Sequence, residues 1–311
     1  MSDSSLPQLS GGLFLSDGGL ETTLVFLDGV ELPHFAAFVL LDDEVGRERL
    51  RRYYVPYLEM CADTPGAGFV LETPTWRASP DWARLIGFDE NNVRRLNRVA
   101  AELARALANR WSARLSGPIV VSGVIGPRGD GYRSDRPQSA DDAAQYHLTQ
   151  AEALADGGVD MLAAVTMTNS AEALGVALAA ESVGLPVAVS FTVETDGKLP
   201  SGETLGDAIG TVDVRARPAY YAVNCAHPSH FEHILADGGV WTARVRAIRA
   251  NASAKSHAEL DESAELDLGD PADLAQRYRG LRSALPGLNV LGGCCGTDWR
   301  HLRAIRDAWV G

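Results

Sequence analysis

The chain has 311 residues, Asp and Glu outnumber Lys and Arg by 41 to 28, and the formal net charge is −13. A balance this acidic argues against a nucleic-acid partner or an anionic membrane surface. The four cysteines (Cys61, Cys225, Cys294, Cys295) make no disulfide framework in so long a chain, the first residues lack the basic and apolar regions of a signal peptide, and no apolar run nears the about 20 residues of a membrane span, so a reducing, cytoplasmic setting is expected.

Strand-like and helix-like stretches alternate from end to end. Leu13-Phe14-Leu15-Ser16 is a short apolar strand that ends at Asp17-Gly18-Gly19. Apolar positions recurring at three and four predict a helix over 44–60, which leads to the strand Gly68-Phe69-Val70-Leu71-Glu72-Thr73 with its polar end. An Ala/Arg/Leu-rich helix over 91–115 precedes a strand at 118–124, and the loop 126–132 holds too many glycines and charges to be core. Next come a helix at 140–156, a strand at 161–167, a helix at 171–183 and a buried strand at 186–193 with a polar tip. The loop 196–202 and a short helix lead to the strand carrying Cys225, followed by a short helix near 231–236 and a seventh strand at 245–252. Pro271, at a favoured first-turn position, opens a helix to 284; then 288–291 is the strand before Cys294, and 299–310 closes the chain as a helix.

Eight strand-helix units, with no linker or low-complexity tract among them, predict an α/β fold: a single (β/α)8 TIM barrel domain over 1–311, with a doubly wound sheet as the second option. In such barrels the active site lies at the C-terminal ends of the strands. Here those ends carry Asp17, Glu72, Thr73, Gly126, Thr166, Thr192, Asn224, Cys225, Asn251, Cys294 and Cys295. The charged stretch 255–270 reads as an exposed loop and a partial lid.

The adjacent pair Cys294-Cys295 sits in the run Leu291-Gly292-Gly293-Cys294-Cys295-Gly296-Thr297. Neighbouring side chains of a regular strand point to opposite faces, so two such cysteines grip one ion only where the pleat breaks, and glycines permit that break. Cys225, in Asn224-Cys225-Ala226-His227, offers a third ligand. Three thiolates on Zn²⁺ leave one tetrahedral position open, as catalytic sites do. A strained vicinal disulfide and plain core packing are the other readings, and the position of all three cysteines at predicted strand ends favours the metal. His227 reads as a loop cap, Cys61 as core, Trp76, Trp82 and Tyr132 as walls of a donor pocket or as packing, and Arg128 with Asp130 as a loop ion pair.

These segments resemble the homocysteine S-methyltransferase family, zinc-dependent barrels that move a methyl group onto homocysteine to make methionine. The resemblance rests on Asp17-Gly18-Gly19 with Thr22 or Thr23, Gly126-Pro127 and its glycine loop, Ser190-Phe191-Thr192 followed by Gly202, Asn224-Cys225, and Gly292-Gly293-Cys294-Cys295-Gly296, in that order over nearly the whole chain. It implies that Cys225, Cys294 and Cys295 bind Zn²⁺ and that Asp17, Gly18, Gly19 and Asn224 shape the homocysteine pocket. Glu72, Thr192 and Asn251 complete the expected substrate-binding set. One departure stands out: family members commonly have a Glu-Thr-x-Pro pattern at the end of the fourth strand, where this chain reads Val165-Thr166-Met167-Thr168. Glu72 is a candidate to supply the missing carboxylate; otherwise the acceptor is a different thiol.

A free thiol with a pKa near ~8.5 is mostly protonated at neutral pH. Bound to zinc it loses that proton, and an all-thiolate site suits alkylation of sulfur better than activation of water. A sulfonium donor such as S-methylmethionine or S-adenosylmethionine fits an acidic pocket in which Glu72 and the face of Trp76 hold the cation. Betaine-using relatives usually have a longer C-terminal arm, and methylfolate relatives work through cobalamin on further domains, for which no Asp-x-His-x-x-Gly motif is present. The expected partners are a small-molecule thiol and a methyl donor, a homo-oligomer being compatible with the sequence. The alternatives are the same chemistry on another thiol or with a betaine-like donor, and a non-catalytic zinc- or thiol-binding relative.

Overall fold

The computed structural model describes residues 6–136, 138–236, 238–263 and 265–311. Parallel strands close into a barrel in sequence order: β1 (Phe14–Leu15), β2 (Gly68–Glu72), β3 (Ile119–Ile125), β4 (Met161–Met167), β5 (Val187–Phe191), β6 (Tyr220–Asn224), β7 (Val245–Ala250) and β8 (Val290–Gly293). Pairing of Phe14 with Val290 and of Leu15 with Leu291 seals the ring, which makes this the (β/α)8 barrel and not a doubly wound sheet. Around it run α1 (Leu20–Thr22), α2 (Glu44–Ala62), α3 (Pro80–Leu85), α4 (Glu90–Trp111), α5 (Ala140–Asp156), α6 (Ser170–Ser182), α7 (Leu205–Arg215), α8 (Pro228–Ala236), α9 (His257–Asp261), α10 (Pro271–Ala284) and α11 (Trp299–Val310). Among the described residues no helix is long and apolar enough to cross a membrane.

Local signals set the long helices. In α4, Asp89 and Asn92 form a reciprocal cap, and Val93, Leu96, Ala100, Leu103, Leu107 and Trp111 bury one stripe against the barrel. The unexpected elements are short: α1, which runs on into a π-helical turn at Thr23–Leu27, and α3 and α9, none long enough to show a period. Strand β8 begins two residues later than 288–291 predicts, and just before it the Asn289 side-chain amide donates to the carbonyls of Gln8 and Gly12.

The period of two along each strand sorts the interior into layers. Phe14, Val70, Val120, Met161, Ala188, Tyr220, Ala222, Ala247 and Val290 pack together inside the barrel, closed from below by Leu6 and by Gln8, whose amide donates to the Met161 sulfur. The alternate residues, such as Phe69, Leu71, Val121 and Leu291, face the helices. Two residues beyond the apolar layer, the same inward rows turn polar at Ser16, Glu72, Ser190, Asn224 and Arg249, and β8 contributes Gly292. A Cβ at Gly292 would lie 2.1 Å from Ser16 Oγ and 3.0 Å from Arg249 Cγ, so glycine alone leaves room for the Arg249 side chain. We expect Gly292→Ala to cost about 1–3 kcal/mol in urea unfolding. A change within about 0.5 kcal/mol would show that the polar layer yields freely.

Candidate metal centre and substrate cavity

Strand β6 ends at Asn224, and Cys225 follows with a left-handed backbone, φ 56°. That conformation costs a non-glycine residue about 1–3 kcal/mol, and persists where the surroundings fix it. The Cys225 carbonyl is held by three donors: Asn251 Nδ2 at 3.0 Å, His257 Nε2 at 2.8 Å and Thr192 Oγ1 at 3.3 Å. Its amide in turn donates to the Arg249 carbonyl of β7. The turn aims the Cys225 sulfur across the barrel mouth at Cys294 and Cys295.

Those two cysteines follow directly on β8, where the amide and hydroxyl of Thr297 both donate to the Cys294 carbonyl. The break in the pleat puts both sulfurs on one side. Cys225 Sγ lies 2.9 Å from Cys294 Sγ and 3.6 Å from Cys295 Sγ, and all three ligand atoms fall within 4.8 Å of one another. All four cysteines are free thiols, so Cys294 and Cys295 do not form the vicinal disulfide. Tetrahedral Zn²⁺ with sulfurs at about 2.3 Å needs sulfurs about 3.8 Å apart, which this group meets with small adjustments. Hydrogen bonds from the neighbouring sulfurs and burial push the Cys225 thiol well above its ordinary value. A divalent cation among the thiols reverses that cost.

A second left-handed residue supports the first. Thr166, at φ 63°, donates its amide to Asn224 Oδ1 and accepts from Asn224 Nδ2 through its hydroxyl, while Ser190 Oγ donates to the same Asn224 oxygen at 2.6 Å. Asn224 Nδ2 also lies 3.9 Å from Cys294 Sγ. One buried amide therefore fixes the ends of β4, β5 and β6 beside the sulfurs.

Opposite, the Arg249 guanidinium is clamped inside the barrel. It reaches Asp17 at 2.9 Å, Glu72 at 3.0 Å and Ser16 Oγ at 2.7 Å, and Tyr53 OH donates to the other Asp17 oxygen. Burial drives the Glu72 carboxyl up to about 7 against the pull of Arg249, and raises Asp17 for the same reason. The group is one cation between two carboxylates, each of which has Arg249 as its ion-pair partner.

A cavity of about 320 Å³ opens above the sulfurs, bounded by Asp17, Gly18, Gly19, Glu72, Val165, Arg249, Cys225, Cys294 and Cys295 below. Glu21, Phe26, Phe35, Trp76, Arg77 and Tyr132 form its sides, and Leu260, Asp261, Leu266 and Asp267 of the 255–270 segment cover it. Its size suits a small molecule. Gly19 cannot be larger, since a Cβ there would lie 2.5 Å from the Cys294 carbonyl. Thr192, Asn224 and Asn251 do not line the cavity; they stand behind Cys225.

Trp76 and Tyr132 are cavity walls, whereas Trp82 lies outside and stacks on Arg77. Tyr132 OH points at the sulfurs, 3.6 Å from Cys295 and 3.7 Å from Cys225, with its ring stacked on His257. His227 caps the start of α8 through Ser229, and Cys61 is buried core. The expected Arg128–Asp130 ion pair does not form: Arg128 Nε bonds Asp81 at 2.8 Å, and Asp130 accepts from the Tyr132 amide, because the glycine loop turns its two charges apart. Sequence reasoning missed Arg249, Glu21, Arg77 and His257. Arg249 was detectable as a charge inside an apolar strand; Glu21 and His257 sit in helices too short to show a period and Arg77 in a loop.

The fold and site together define a (β/α)8 barrel with three thiols, placed so that they could hold a metal ion, at the floor of a small-molecule cavity. The sequence profile of the family described as Homocysteine S-methyltransferase matches residues 14–309, and the chain belongs to that family of methyltransferases. It is 27% identical to Homocysteine S-methyltransferase 4 of Zea mays, over 96% of this chain and 90% of the relative. Homocysteine S-methyltransferase 1 of the same plant is 26% identical, over 95% and 94%. Among solved structures, the oxidized and metallated forms of the homocysteine methyltransferase MmuM from Escherichia coli superpose with TM-scores of 0.76 and 0.73, at 24% and 23% identity and with 96% of each chain covered.

Asn251→Ala removes one of the three donors that hold the Cys225 carbonyl and should weaken metal binding about 10–100-fold, as read by competition with a chromophoric chelator. Unchanged affinity would mean that Thr192 and His257 suffice. Burial pushes His227 down to about 4 from its ordinary 6.5, with further lowering by Arg277 and His230. The unfolded chain thus binds a proton that the folded chain refuses, so stability should fall as pH drops from about 6.5 to about 4 and be flat in this respect above 6.5. Melts across that range should show a shallower slope for His227→Asn, and an unchanged slope would assign the acid sensitivity to other groups.

Proposed function

We propose that this protein transfers a methyl group from a sulfonium donor, S-methylmethionine or S-adenosylmethionine, to the thiol of homocysteine. The observation that carries the reading is the convergence of Cys225, Cys294 and Cys295 on one point open to the cavity. Zinc is the ion this donor set fits best: Cys225, Cys294 and Cys295 would hold it, and it would supply the Lewis acidity that favours the thiolate form of the acceptor. A softer all-sulfur site suits that role, and neutral histidine ligands would suit water activation.

The protein's own residues supply position. Asn251, Thr192 and His257 set Cys225, and Asn224 sets Thr166 and the approach to Cys294. Gly18 and Gly19 bring the β1 turn against the cysteine loop, so that Asp17 and Glu72 border the acceptor with their charge absorbed by Arg249. The 255–270 segment and Trp76 shield the reacting sulfur from water. In the transfer, the acceptor sulfur forms a bond to the methyl carbon as the bond from that carbon to the donor sulfur breaks. The electron pair of that bond stays on the donor, which leaves as a neutral thioether. Carboxylates that line the cavity away from Arg249, among them Glu21 and Asp130, favour the binding of a cationic donor. Free thiols at the centre of the reaction fit a reducing, cytoplasmic setting.

Cys294→Ser should abolish tight zinc binding and methyl transfer, while the metal-free protein keeps its melting temperature, because the barrel core does not rest on the ion. A variant that retained full activity would overturn the mechanism. The direct assay offers metal-loaded protein homocysteine together with each sulfonium. Methionine formation supports the reading, and bound zinc without methionine points to a different thiol.

A further inference from the structure

Resting on the methyl-transfer reading, the inference concerns how the cavity tells its substrates apart. Of the carboxylates near the sulfurs, Asp17 and Glu72 are spent on Arg249. The side of the cavity differs. Glu21 lies in α1, and Thr22 Oγ1 beside it accepts from the Gly296 amide, which ties this turn to the cysteine loop. Among the described residues, the Glu21 carboxylate makes no ion pair and no hydrogen bond to another residue, yet it lines the cavity.

Arg77 is its counterpart. The guanidinium is held between the rings of Trp76, at 4.6 Å, and Trp82, at 4.0 Å, and donates to the His34 carbonyl. Among the described residues it forms no ion pair with a carboxylate, and its Nε is buried without a hydrogen-bond partner. It also lines the cavity. Two charges of opposite sign, each within electrostatic reach of the other but unbonded, border the same space, and Asp130, which acts on Arg77 more strongly than Glu21 does, borders it too. Burial raises the Glu21 carboxyl to about 7, as it does for an acid whose counter-ion has not arrived.

We propose that Glu21 and Arg77 are specificity-determining residues that bind the zwitterionic head of an α-amino-acid substrate, Glu21 taking the ammonium and Arg77 the carboxylate. A carboxylate and a guanidinium that line one cavity without an ion pair match the two charges that every α-amino acid carries on one carbon. Homocysteine and S-methylmethionine share that head, and the two differ in where their sulfur must lie. Neither a quaternary amine without a carboxylate nor a simple alkyl thiol would satisfy both walls, and each would leave a buried charge unmatched.

The test pairs substrates with variants. Homocysteine is compared with 4-mercaptobutanoate, which lacks the ammonium, and with 3-mercaptopropylamine, which lacks the carboxylate. S-methylmethionine is compared with its des-amino and decarboxylated sulfonium analogues. Wild-type protein should prefer the full amino acid about tenfold or more in KM for one of the two substrates, with kcat less affected. Glu21→Gln should erase the preference over the des-amino analogue alone, and Arg77→Met the preference over the decarboxylated analogue alone. The substrate whose preference collapses is the one held by this pair. Zinc content and melting temperature identify a variant that has merely lost its fold, and Arg77→Lys, which keeps the charge, should recover part of the preference. If both variants fold and keep both preferences, the proposal is overturned. Should the wild type transfer no methyl group from any donor, the methyl-transfer reading fails separately. Calorimetric titration of homocysteine and S-methylmethionine into the same variants then tests the clamp without turnover, and unaltered binding in Glu21→Gln would refute it.

Discussion

Bringing three sulfurs within 4.8 Å from the ends of two strands is the constraint on which the rest of this barrel mouth depends. A regular strand cannot do it, since its side chains alternate between faces and crowded thiols resist ionisation. The chain meets the geometry with a left-handed Cys225 and with a turn directly after β8. It then surrounds the strained peptide with donors from three other segments: Thr192, Asn251 and His257. These contacts explain polar residues at strand ends that never reach the cavity. They support the three cysteines that could hold a metal ion, and outer partners of that kind orient the ligands of a metal.

The polar layer beneath the site carries a second cost. Arg249, Asp17 and Glu72 are largely buried at the cavity floor, where a lone charge would be costly, and the pairing offsets that cost. In this cluster one guanidinium is shared by two carboxylates. The cluster also leaves the side walls, not the floor, to recognise charged parts of a ligand. Glu72, the candidate to replace the carboxylate missing at Val165, lines the cavity and is paired with Arg249 of the protein itself.

The 255–270 segment shows how a barrel loop does several things at once. His257 holds the Cys225 carbonyl, stacks on Tyr132 and pairs with Glu194, while Leu260 and Leu266 close the cavity a few residues later. Covering a site with the same segment that buttresses a ligand couples access to the integrity of the metal centre. Tyr132, brought from the glycine loop after β3, ends beside two of the sulfurs by the same packing.

How much of this was legible in the sequence follows from the range of each interaction. Alternating apolar runs fixed the barrel, because strand and helix periods are local, and the order of units leaves few ways to close a sheet. The cysteines and the Asp17-Gly18-Gly19 turn were legible too, since their residue types carry chemistry wherever a strand ends. Tertiary structure alone decided which charges are free. Nothing local to Glu72 says that Arg249, 177 positions later by simple subtraction of residue numbers, will absorb it, and nothing local to Arg128 says that it will turn to Asp81 rather than to Asp130. Pairing of that kind depends on closure of the ring and on the space left at Gly292, so it appears only once every strand is in place.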